Sequence, residues 1–183
     1  LFVEKYGQLK DKAAVLHIGN DEYFHPVTSA ESSIFANYNQ KEFLLTVSHL
    51  YPYKNIELLI GSFKQLSLKQ RGLYLLIAGS IVDEPYYERL KGLLERYDIS
   101  DHVVFLGRLD RSELKELYSR CKAFVFTSPF ENFAYTLVEA MSCGAPIIAT
   151  NTTAMPETCG EAALYFSPDK EEELSSCIGR FLD

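Results

Sequence analysis

The sequence predicts an α/β fold in which helices cover both faces of a parallel sheet of about six strands. From residue 43 onward, short runs rich in β-branched and aromatic residues alternate with longer stretches of helical period, as expected of strand–helix–strand units. The short runs are almost entirely apolar, which is typical of strands buried on both faces, whereas a half-exposed sheet alternates polar and apolar residues. No internal repeat or low-complexity tract competes with this interpretation.

Six apolar runs of four or five residues are the predicted strands. They are Phe43–Val47, Tyr74–Ala78, Val103–Leu106, Ala123–Thr127, Pro146–Ala149 and Ala163–Phe166. Parallel neighbours need a crossover between them, and the intervening stretches are long enough to supply one as a helix.

Two of the predicted helices are marked by apolar stripes. The longer stripe predicts a helix that Asn55 caps, and its members recur at i, i+3, i+4, i+7 and i+10: Ile56, Leu59, Ile60, Phe63 and Leu66. A shorter stripe predicts a helix that ends before Gly144 and Pro146; it comprises Leu137, Ala140 and Met141.

Two further helix starts carry the pattern of a capping box, in which an acidic N-cap is followed three residues later by glutamate. Asp110 with Glu113 opens one such helix, and Asp169 with Glu172 opens the last one. About five helices are expected in all.

Residues 1–40 differ from the rest, since they have weak periodicity and polar clusters. We interpret Ala14–Ile18 as an extra strand and the remainder as a segment derived from an interdomain linker. Residues 41–183 then form one domain. The chain starts at Leu1, without a methionine, and is expected to be a piece of a longer protein.

Composition excludes several classes of function. A net charge of −7 and a pI near 5.2 argue against nucleic acid or anionic membrane as the main partner, because both need a clustered positive surface. No apolar run approaches the roughly 18–20 residues of a membrane span. The cysteines form no Cys-x-x-Cys pair, so neither a zinc knuckle nor a redox motif is predicted, and buried, reduced thiols are expected at Cys121, Cys143, Cys159 and Cys177.

Ligands of open parallel sheets bind at the carboxyl ends of the strands, so each loop that follows a strand is a candidate site. In the loop Ser48–Asn55, Lys54 stands next to a predicted helix start, where free N–H groups and a partial positive charge attract anions. A diphosphate would fit there. Taken alone, a solvated Lys54 and a capping Asn55 are the simpler interpretation.

Glycines follow two other predicted strands, at Gly79 (next to Ser80) and at Gly107. Without a Cβ, glycine lets a ligand or a turning backbone come close, and each of these alone is more often a turn than a site. The sequence has no G-x-G-x-x-G and no Walker lysine motif, which argues against a dehydrogenase and a P-loop NTPase.

Two glutamates flank the helix start that follows the fourth strand. Glu131 lies in the loop after Pro129, Glu139 lies about one turn inside the helix, and Ala134 leaves room for a ligand near the helix N–H groups. Two carboxylates there can accept hydroxyl hydrogen bonds, which suits a ligand with a sugar at one end and a ribose at the other. On their own, a solvated Glu131 and a salt-bridged Glu139 would explain the pattern equally well.

Together, Phe43–Asp183, about three quarters of the chain, resembles the C-terminal domain of retaining glycosyltransferases of the GT-B architecture, specifically glycosyltransferase family four, or group one. The segments that carry the resemblance occur in the order and spacing of that family: Val47–His49 with Lys54–Asn55, Ile77–Ser80, Val104–Leu109, Ser128–Phe133, Glu139–Ile147, and Pro156–Glu157 ahead of Gly160–Ala163. The resemblance implies a Rossmann-like fold, the C-terminal half of a GT-B enzyme.

The resemblance also implies roles for individual residues. Glu131 would hold hydroxyls of the donor sugar and Lys54 would neutralise the diphosphate leaving group, which makes these two the predicted catalytic residues. Glu139 would hold the ribose. No metal and no cofactor is expected, since Lys54 and a helix dipole supply the positive field. The other predicted donor-binding residues would surround the phosphates and the base: His49, Gly79, Ser80, Gly107, Arg108, Phe133, Ala134, Tyr135 and Thr136.

The sequence departs from the family pattern inside the predicted site. His49 stands where the family usually carries arginine, so the leaving group would have a titratable partner in place of a fixed fork. Phosphate affinity is then expected to rise as the pH falls through the titration of this histidine. Asn132 and Ala134 stand where many relatives have glycine.

The implied reaction is transfer of a sugar from a UDP-, GDP- or ADP-linked donor to a glycan or lipid-linked acceptor, with retention of configuration. The acceptor site would come from an N-terminal domain that this chain lacks, so the chain alone is expected to bind donor weakly and to transfer nothing. A cytoplasmic location, or a peripheral one at the inner face of the membrane, is expected for the full-length protein, and nucleic-acid binding is not.

Two alternatives remain open at this point. A non-catalytic sugar-nucleotide-binding or scaffold domain is favoured by His49 and the missing glycines, and disfavoured by the intact Glu131, Glu139 and Lys54. A nucleotide-sugar 2-epimerase of related architecture is expected to use a different arrangement of carboxylates.

Overall fold

The structure, a computed structural model, describes residues 5, 7, 12, 14, 19, 21–28, 37, 38 and 40–182. The strand predicted at Ala14–Ile18 lies outside the described residues apart from Ala14, and so does most of the segment that we interpreted as linker.

Six parallel strands form one sheet in the order β3-β2-β1-β4-β5-β6, which confirms the predicted fold class. All six predicted runs are strands, and their bounds differ from the prediction by at most one residue at an end. The strands are β1 (Phe43–Val47), β2 (Tyr74–Ala78), β3 (Val103–Gly107), β4 (Ala123–Phe126), β5 (Ile147–Thr150) and β6 (Ala163–Phe166).

Six helices follow these strands in the described part of the chain, five of them as connections and the last after β6, and a 3-10 turn, Pro52–Lys54, precedes the first helix. They are α1 (Ile56–Gln65), α2 (Glu84–Tyr97), α3 (Arg111–Arg120), α4 (Tyr135–Ser142), α5 (Met155–Cys159) and α6 (Glu171–Leu182). The short α5 and the long α2 were not assigned from the sequence.

The sheet is buried on both faces, as its apolar strands predict. Leu44 of β1 packs into one core cluster with α1, α2 and α6, whereas its neighbours Phe43 and Leu45 point to the other face and pack with α3, α4 and α5. Side chains of a strand alternate between the faces, so an all-apolar strand requires a core on each side. The four cysteines are buried free thiols, as predicted.

Asn55 occupies the predicted N-cap position of α1, but its side chain does not cap the helix. Asn55 adopts a left-handed conformation (φ 55°) as the residue that ends the 3-10 turn, and its Nδ2 donates to the Pro168 carbonyl at 2.8 Å instead of capping α1. The first amide of α1, that of Ile56, donates to the Tyr86 hydroxyl at 3.0 Å. A side chain from α2 therefore takes the place of the cap, and this amide is not available to an anion.

The capping box at Asp110 and Glu113 is confirmed, with both reciprocal hydrogen bonds present. At the last helix the structure differs from the prediction. Helix α6 begins at Glu171, and the carboxylate that accepts from a backbone N–H ahead of the helix belongs to Glu173, with Ser167 as the donor at 2.8 Å.

Residues 21–28 pack against α3, although the sequence led us to assign them to a linker. Phe24 is 3% exposed and contacts the ring of Tyr118 edge to face. The Val27 amide donates to the Ser119 hydroxyl at 3.2 Å, and Arg111 pairs with Asp21. This stretch therefore completes the core on one face of the sheet.

None of the helices in the described part of the chain is long and apolar enough to cross a membrane.

Candidate functional site

A cavity of about 550 Å³ opens at the carboxyl ends of the strands. It lies where β1 and β4 are neighbours, the point at which the order of the strands reverses direction, and such crevices are the usual ligand sites of open α/β sheets. Its walls come from the ends of the strands, from the loops after four of them, and from the first turns of α3 and α4: Val47, Ser48, His49, Tyr53, Lys54, Ala78, Gly79, Ser80, Arg108, Leu109, Leu114, Phe126, Glu131, Phe133, Ala134, Tyr135 and Thr136.

The cavity brings together ten of the twelve residues predicted to bind a donor; Gly107 and Glu139 are the two that do not line it. Both predicted catalytic residues, Lys54 and Glu131, do line it. Sequence reasoning did not single out Ser48, Tyr53, Leu109 or Leu114. Tyr53 and Ser48 belong to the predicted loop, Leu109 directly follows the predicted Arg108, and Leu114 belongs to α3, which packs beside α4.

Lys54 and Glu131, 77 positions apart in the sequence, form an ion pair within the cavity wall. Their side chains are 13% and 20% exposed. The backbone of Lys54 is fixed as well, because the Thr127 hydroxyl at the end of β4 donates to its carbonyl at 2.7 Å. An anion that binds Lys54 must therefore compete with the Glu131 carboxylate.

The start of α4 faces the cavity without a side-chain cap. Its N-cap, Ala134, is 4% exposed and has no oxygen to offer, and the first turn carries no acidic residue. Tyr135 and Thr136, the first two residues of the helix, line the cavity. An uncapped helix start next to Lys54 provides N–H donors and positive charge for an anionic group.

Gly79 lines the cavity and also lies against a neighbouring stretch of backbone. Its φ is 143°, and a Cβ there would lie 1.9 Å from the Ser48 carbonyl oxygen. The group that needs the space is therefore the backbone after β1, which is joined to the backbone after β2 by two hydrogen bonds, from Ser48 to the Ala78 carbonyl at 2.9 Å and from Leu50 to the Ser80 carbonyl at 3.0 Å.

Gly107 stands outside the cavity and acts on its shape. It has a φ of 70°, and its carbonyl accepts from the Gly79 amide at 2.8 Å, which joins the end of β3 to the end of β2. Arg108, the next residue, reaches the cavity wall. Gly107 thus turns the chain at the point where Arg108 must leave the sheet.

His49 bridges two loops of the cavity. The Ser80 amide donates to its Nδ1 at 3.3 Å, so in this arrangement Nδ1 is an acceptor and the ring proton is on Nε2. A doubly protonated imidazole has no acceptor and would lose this bond. The expected gain of phosphate affinity at low pH stays a prediction, and it would be accompanied by loss of the hydrogen bond from the Ser80 amide.

An aromatic wall lies beside the start of α4. The rings of Phe133 and Tyr135 meet edge to face at 5.0 Å, and Tyr135 is 58% exposed. On the opposite loop Tyr53 stacks on Tyr51 at 5.5 Å, and the Lys54 ammonium lies 4.9 Å from the centre of the Tyr53 ring. These exposed rings provide flat apolar surfaces for the ring of a ligand.

Glu139 is half-buried one turn behind the cavity wall. The Tyr118 hydroxyl donates to its Oε2 at 3.2 Å. Burial raises the pKa of Glu139, and the Tyr118 hydrogen bond and the charge of Arg111 act in the opposite direction without cancelling it. The predicted contact between Glu139 and a ribose stays a prediction.

We expect Glu139→Gln to raise the melting temperature at pH 7. A carboxyl group with a raised pKa in the folded state binds more protons when folded, so between its two pKa values the free energy of unfolding falls as the pH rises. Glu139 therefore lowers stability at neutral pH, and its amide analogue does not. Melting curves between pH 4 and pH 8 measure this effect.

The gain should shrink as the pH is lowered below the ordinary range of a carboxyl group, where the wild-type glutamate is protonated both folded and unfolded. Glu161→Gln, at an exposed glutamate before β6, is the matched control and should show no such trend. A gain for Glu139→Gln that is absent at pH 7, or that grows toward low pH, would contradict the assignment.

Among the described residues, no group of three or more His, Cys, Asp or Glu side chains is arranged to hold a metal ion. The expectation that the site works without a metal stays a prediction.

The chain is similar to curated bacterial glycosyltransferases. It is 34% identical over 142 residues to the serotype-specific mannosyltransferase WbdA of Escherichia coli, which covers 77% of this chain and 17% of that protein. It is 32% identical over 151 residues to the O-antigen chain mannosyltransferase RfbU of Salmonella typhimurium, covering 82% of this chain and 41% of that protein. The chain thus spans less than half the length of either relative.

Solved structures share the fold. Anabaena HepE in complex with UDP-glucose superposes with a TM-score of 0.79 at 22% identity, over 90% of this chain and 46% of HepE. The C-terminal domain of the group 1 glycosyl transferase LpcC from Francisella tularensis gives a TM-score of 0.75 at 16% identity, over 90% of this chain and 87% of that domain. The family model of the glycosyl transferases group 1 matches residues 28–183, and the chain belongs to that family.

Proposed function

We propose that this chain is the domain of a glycosyltransferase that binds the donor, a sugar linked to a nucleoside diphosphate. The observation that carries the proposal is the meeting of Lys54, Glu131 and the uncapped start of α4 around one cavity at the reversal point of the sheet. These elements supply a positive charge, a carboxylate and free N–H donors, which are the groups needed by the phosphates and the sugar hydroxyls of such a ligand.

The diphosphate is proposed to lie between Lys54 and the start of α4. The alternative helix start, that of α1, is less suitable because its first amide already donates to Tyr86. Departure of the diphosphate develops negative charge on the leaving oxygen, and a lysine ammonium and helix N–H groups aimed at that oxygen stabilise it. In this proposal no metal ion is required.

The sugar and the base occupy opposite sides of the diphosphate. Glu131, released from Lys54, accepts hydrogen bonds from the sugar hydroxyls, while Ser80, Arg108 and Leu109 border the part of the cavity where the base would lie. Glu139 is proposed to reach the ribose from behind Thr136. The pocket is large enough for such a ligand, since about 300–1,000 Å³ is the usual range.

The complete protein is proposed to transfer the sugar with retention of configuration, as the resemblance to family four implies. The chain spans 17% and 41% of the two mannosyltransferases described above, and we propose that the acceptor site lies in polypeptide outside this chain. The names of these relatives make a mannose-linked nucleotide the first donor to test.

A thermal-shift panel on the full-length protein tests the proposal with UDP-glucose, GDP-mannose and ADP-glucose. A ligand that binds only the folded state raises the free energy of unfolding by about 2.7 kcal/mol at a concentration of 100 times its Kd. We therefore expect one of the three nucleotide sugars to raise the melting temperature by several degrees, and the nucleoside monophosphate with the same base to raise it less. A non-catalytic scaffold would show no selective shift, and that result would refute the proposal.

A further inference from the structure

Three threonines in and after β5 hold the loop that carries Glu131. The Thr150 hydroxyl donates to the Ser128 carbonyl at 2.8 Å and the Thr152 hydroxyl donates to the Pro129 carbonyl at 2.8 Å. The third, Thr153, accepts from the Glu131 amide itself at 3.2 Å. We call these three residues the threonine clasp. It fixes successive peptide groups of a loop that has no regular secondary structure of its own.

Thr153 is held in an unfavourable backbone conformation. Its φ is 49°, in the left-handed region, and it is the only β-branched residue among the four described non-glycine residues with positive φ. A branched Cβ makes this region costly, and such strain persists where surrounding contacts impose it, often at functional sites. Thr153 is exposed, so burial of its side chain does not offset the cost.

The hydroxyl contact accounts for the retention of this conformation. Besides accepting from Glu131, the Thr153 Oγ1 lies 3.8 Å from the Met155 sulfur, to which it donates. Met155 is fully buried at the start of α5, so its sulfur is a fixed partner that orients the Thr153 hydroxyl. The orientation of the Glu131 amide is thereby coupled to the packing of α5.

The Glu131 amide belongs to the residue whose carboxylate is proposed to hold the donor sugar. The Glu131 side chain pairs with Lys54. Three residues further along the chain, Ala134 is the N-cap of α4, where the diphosphate is proposed to bind. A shift of this peptide would move the carboxylate relative to Lys54 and to the sugar. Misplacement of about 1 Å can cost an enzyme 100-fold in rate.

We propose that Thr153 is a positioning residue for Glu131, kept in a strained left-handed conformation so that its hydroxyl holds the Glu131 amide. The inference rests on the proposed function, because the position of Glu131 affects the reaction only if Glu131 holds the donor sugar. Thr153 itself is not among the residues that line the cavity where the donor is proposed to bind.

Three substitutions separate the hydroxyl from the backbone strain. Thr153→Gly removes the hydroxyl and all of the strain, Thr153→Ala removes the hydroxyl and the branch but keeps a Cβ, and Thr153→Ser removes the branch and keeps the hydroxyl. Ser67→Gly is the matched control, since Ser67 also has positive φ (51°) but lies after α1, away from the cavity. Glu131→Gln serves as the reference for complete loss of the carboxylate.

The full-length protein is assayed for turnover of whichever of UDP-glucose, GDP-mannose and ADP-glucose shifts its melting temperature. We expect Thr153→Gly to melt no more than about 4 °C below Ser67→Gly, because both relieve strain at similar cost in unfolded-state entropy and Thr153→Gly also loses one hydrogen bond. Its kcat should nevertheless fall about 10-fold, the order of one lost hydrogen bond, while the Kd of the nucleoside diphosphate alone stays within about twofold. Thr153→Ala should lose kcat similarly, and Thr153→Ser and Ser67→Gly should keep it.

Exchange of the Glu131 amide with solvent deuterium gives a second readout that needs no ligand. The amide should be protected in the wild type and in Thr153→Ser, and should exchange faster in Thr153→Gly and Thr153→Ala. If Thr153→Gly turns over donor like the wild type while Glu131→Gln does not, the positioning role is wrong and the proposed function stands. If Glu131→Gln also turns over donor normally, the role of Glu131 toward the donor sugar is wrong and the positioning role falls with it. If the wild type turns over none of the three nucleotide sugars, the proposed function itself is wrong.

Discussion

Replacing Lys54 by methionine is expected to weaken binding of the cognate nucleoside diphosphate by about 10- to 150-fold, because a hydrogen bond to a charged group contributes about 1.5–3 kcal/mol. The change also leaves the Glu131 carboxylate, 20% exposed and no longer paired, facing the place where the phosphates bind. Transfer should fall further than binding, since the ammonium stabilises charge that develops as the diphosphate departs. Calorimetric titration and initial-rate kinetics on the full-length protein measure the two losses.

Lys64→Met is the matched control for this substitution. Lys64 is exposed in the last turn of α1 and lies outside the cavity wall, so the same loss of charge there should leave both the Kd and the rate within about twofold. Equal binding by Lys54→Met and Lys64→Met would show that the phosphates do not meet Lys54.

Replacing Gly79 by alanine is expected to have the largest effect on stability. The new Cβ would lie 1.9 Å from the Ser48 carbonyl oxygen and 2.5 Å from its carbon, so the backbone of one loop must move. Overpacking costs about 1–3 kcal/mol, and a backbone conformation suited to glycine adds about 1–3 kcal/mol. We therefore expect a loss of about 2–6 kcal/mol in the free energy of unfolding, measured by urea titration.

Gly107→Ala separates the two causes. Gly107 has positive φ, like Gly79, but nothing lies within 4 Å of the Cβ that alanine would add. This variant should lose only the backbone contribution, about 1–2 kcal/mol. If Gly79→Ala were no more destabilising than Gly107→Ala, the contact between the loops after β1 and β2 would not be as close as described.

The sheet was predictable from the sequence because the chemistry of buried parallel strands is local. A strand buried on both faces, such as Phe43–Val47, is a nearly continuous apolar run, and a run of this length is too short for a typical helix. The capping box at Asp110 was predictable for the same reason, since its two hydrogen bonds join residues three apart.

The cap of α1 was not predictable, because it depends on tertiary contacts. The 3-10 turn ahead of Asn55 places that residue in a left-handed conformation. The hydroxyl that accepts from the first amide of the helix belongs to Tyr86, 30 positions after Ile56. No sequence spacing indicates that a tyrosine of the next helix will reach this amide.

The polar residues of the candidate site were predicted from the sequence, but the residues that hold them in place were not. Lys54 and Glu131 carry recognisable chemistry at strand ends, so parallel strand order brings them together. The threonine clasp and Tyr118 act over 21–23 positions through contacts between loops and helices, and a threonine in a polar loop has no signal of its own. Gly79 and Gly107 were predicted to be positions where another group comes close or the chain turns. Whether that group is a ligand or a neighbouring backbone depends on the packing of the loops, which the sequence does not indicate.

The most direct test of the central claim is a crystal structure of the full-length protein with the nucleoside diphosphate that its thermal shift selects. We predict that a phosphate oxygen lies about 2.7–2.9 Å from the Lys54 ammonium and accepts from N–H groups at the start of α4, with Glu131 no longer paired with Lys54. A diphosphate bound elsewhere, or one bound with the Lys54–Glu131 ion pair intact, would contradict the proposed site.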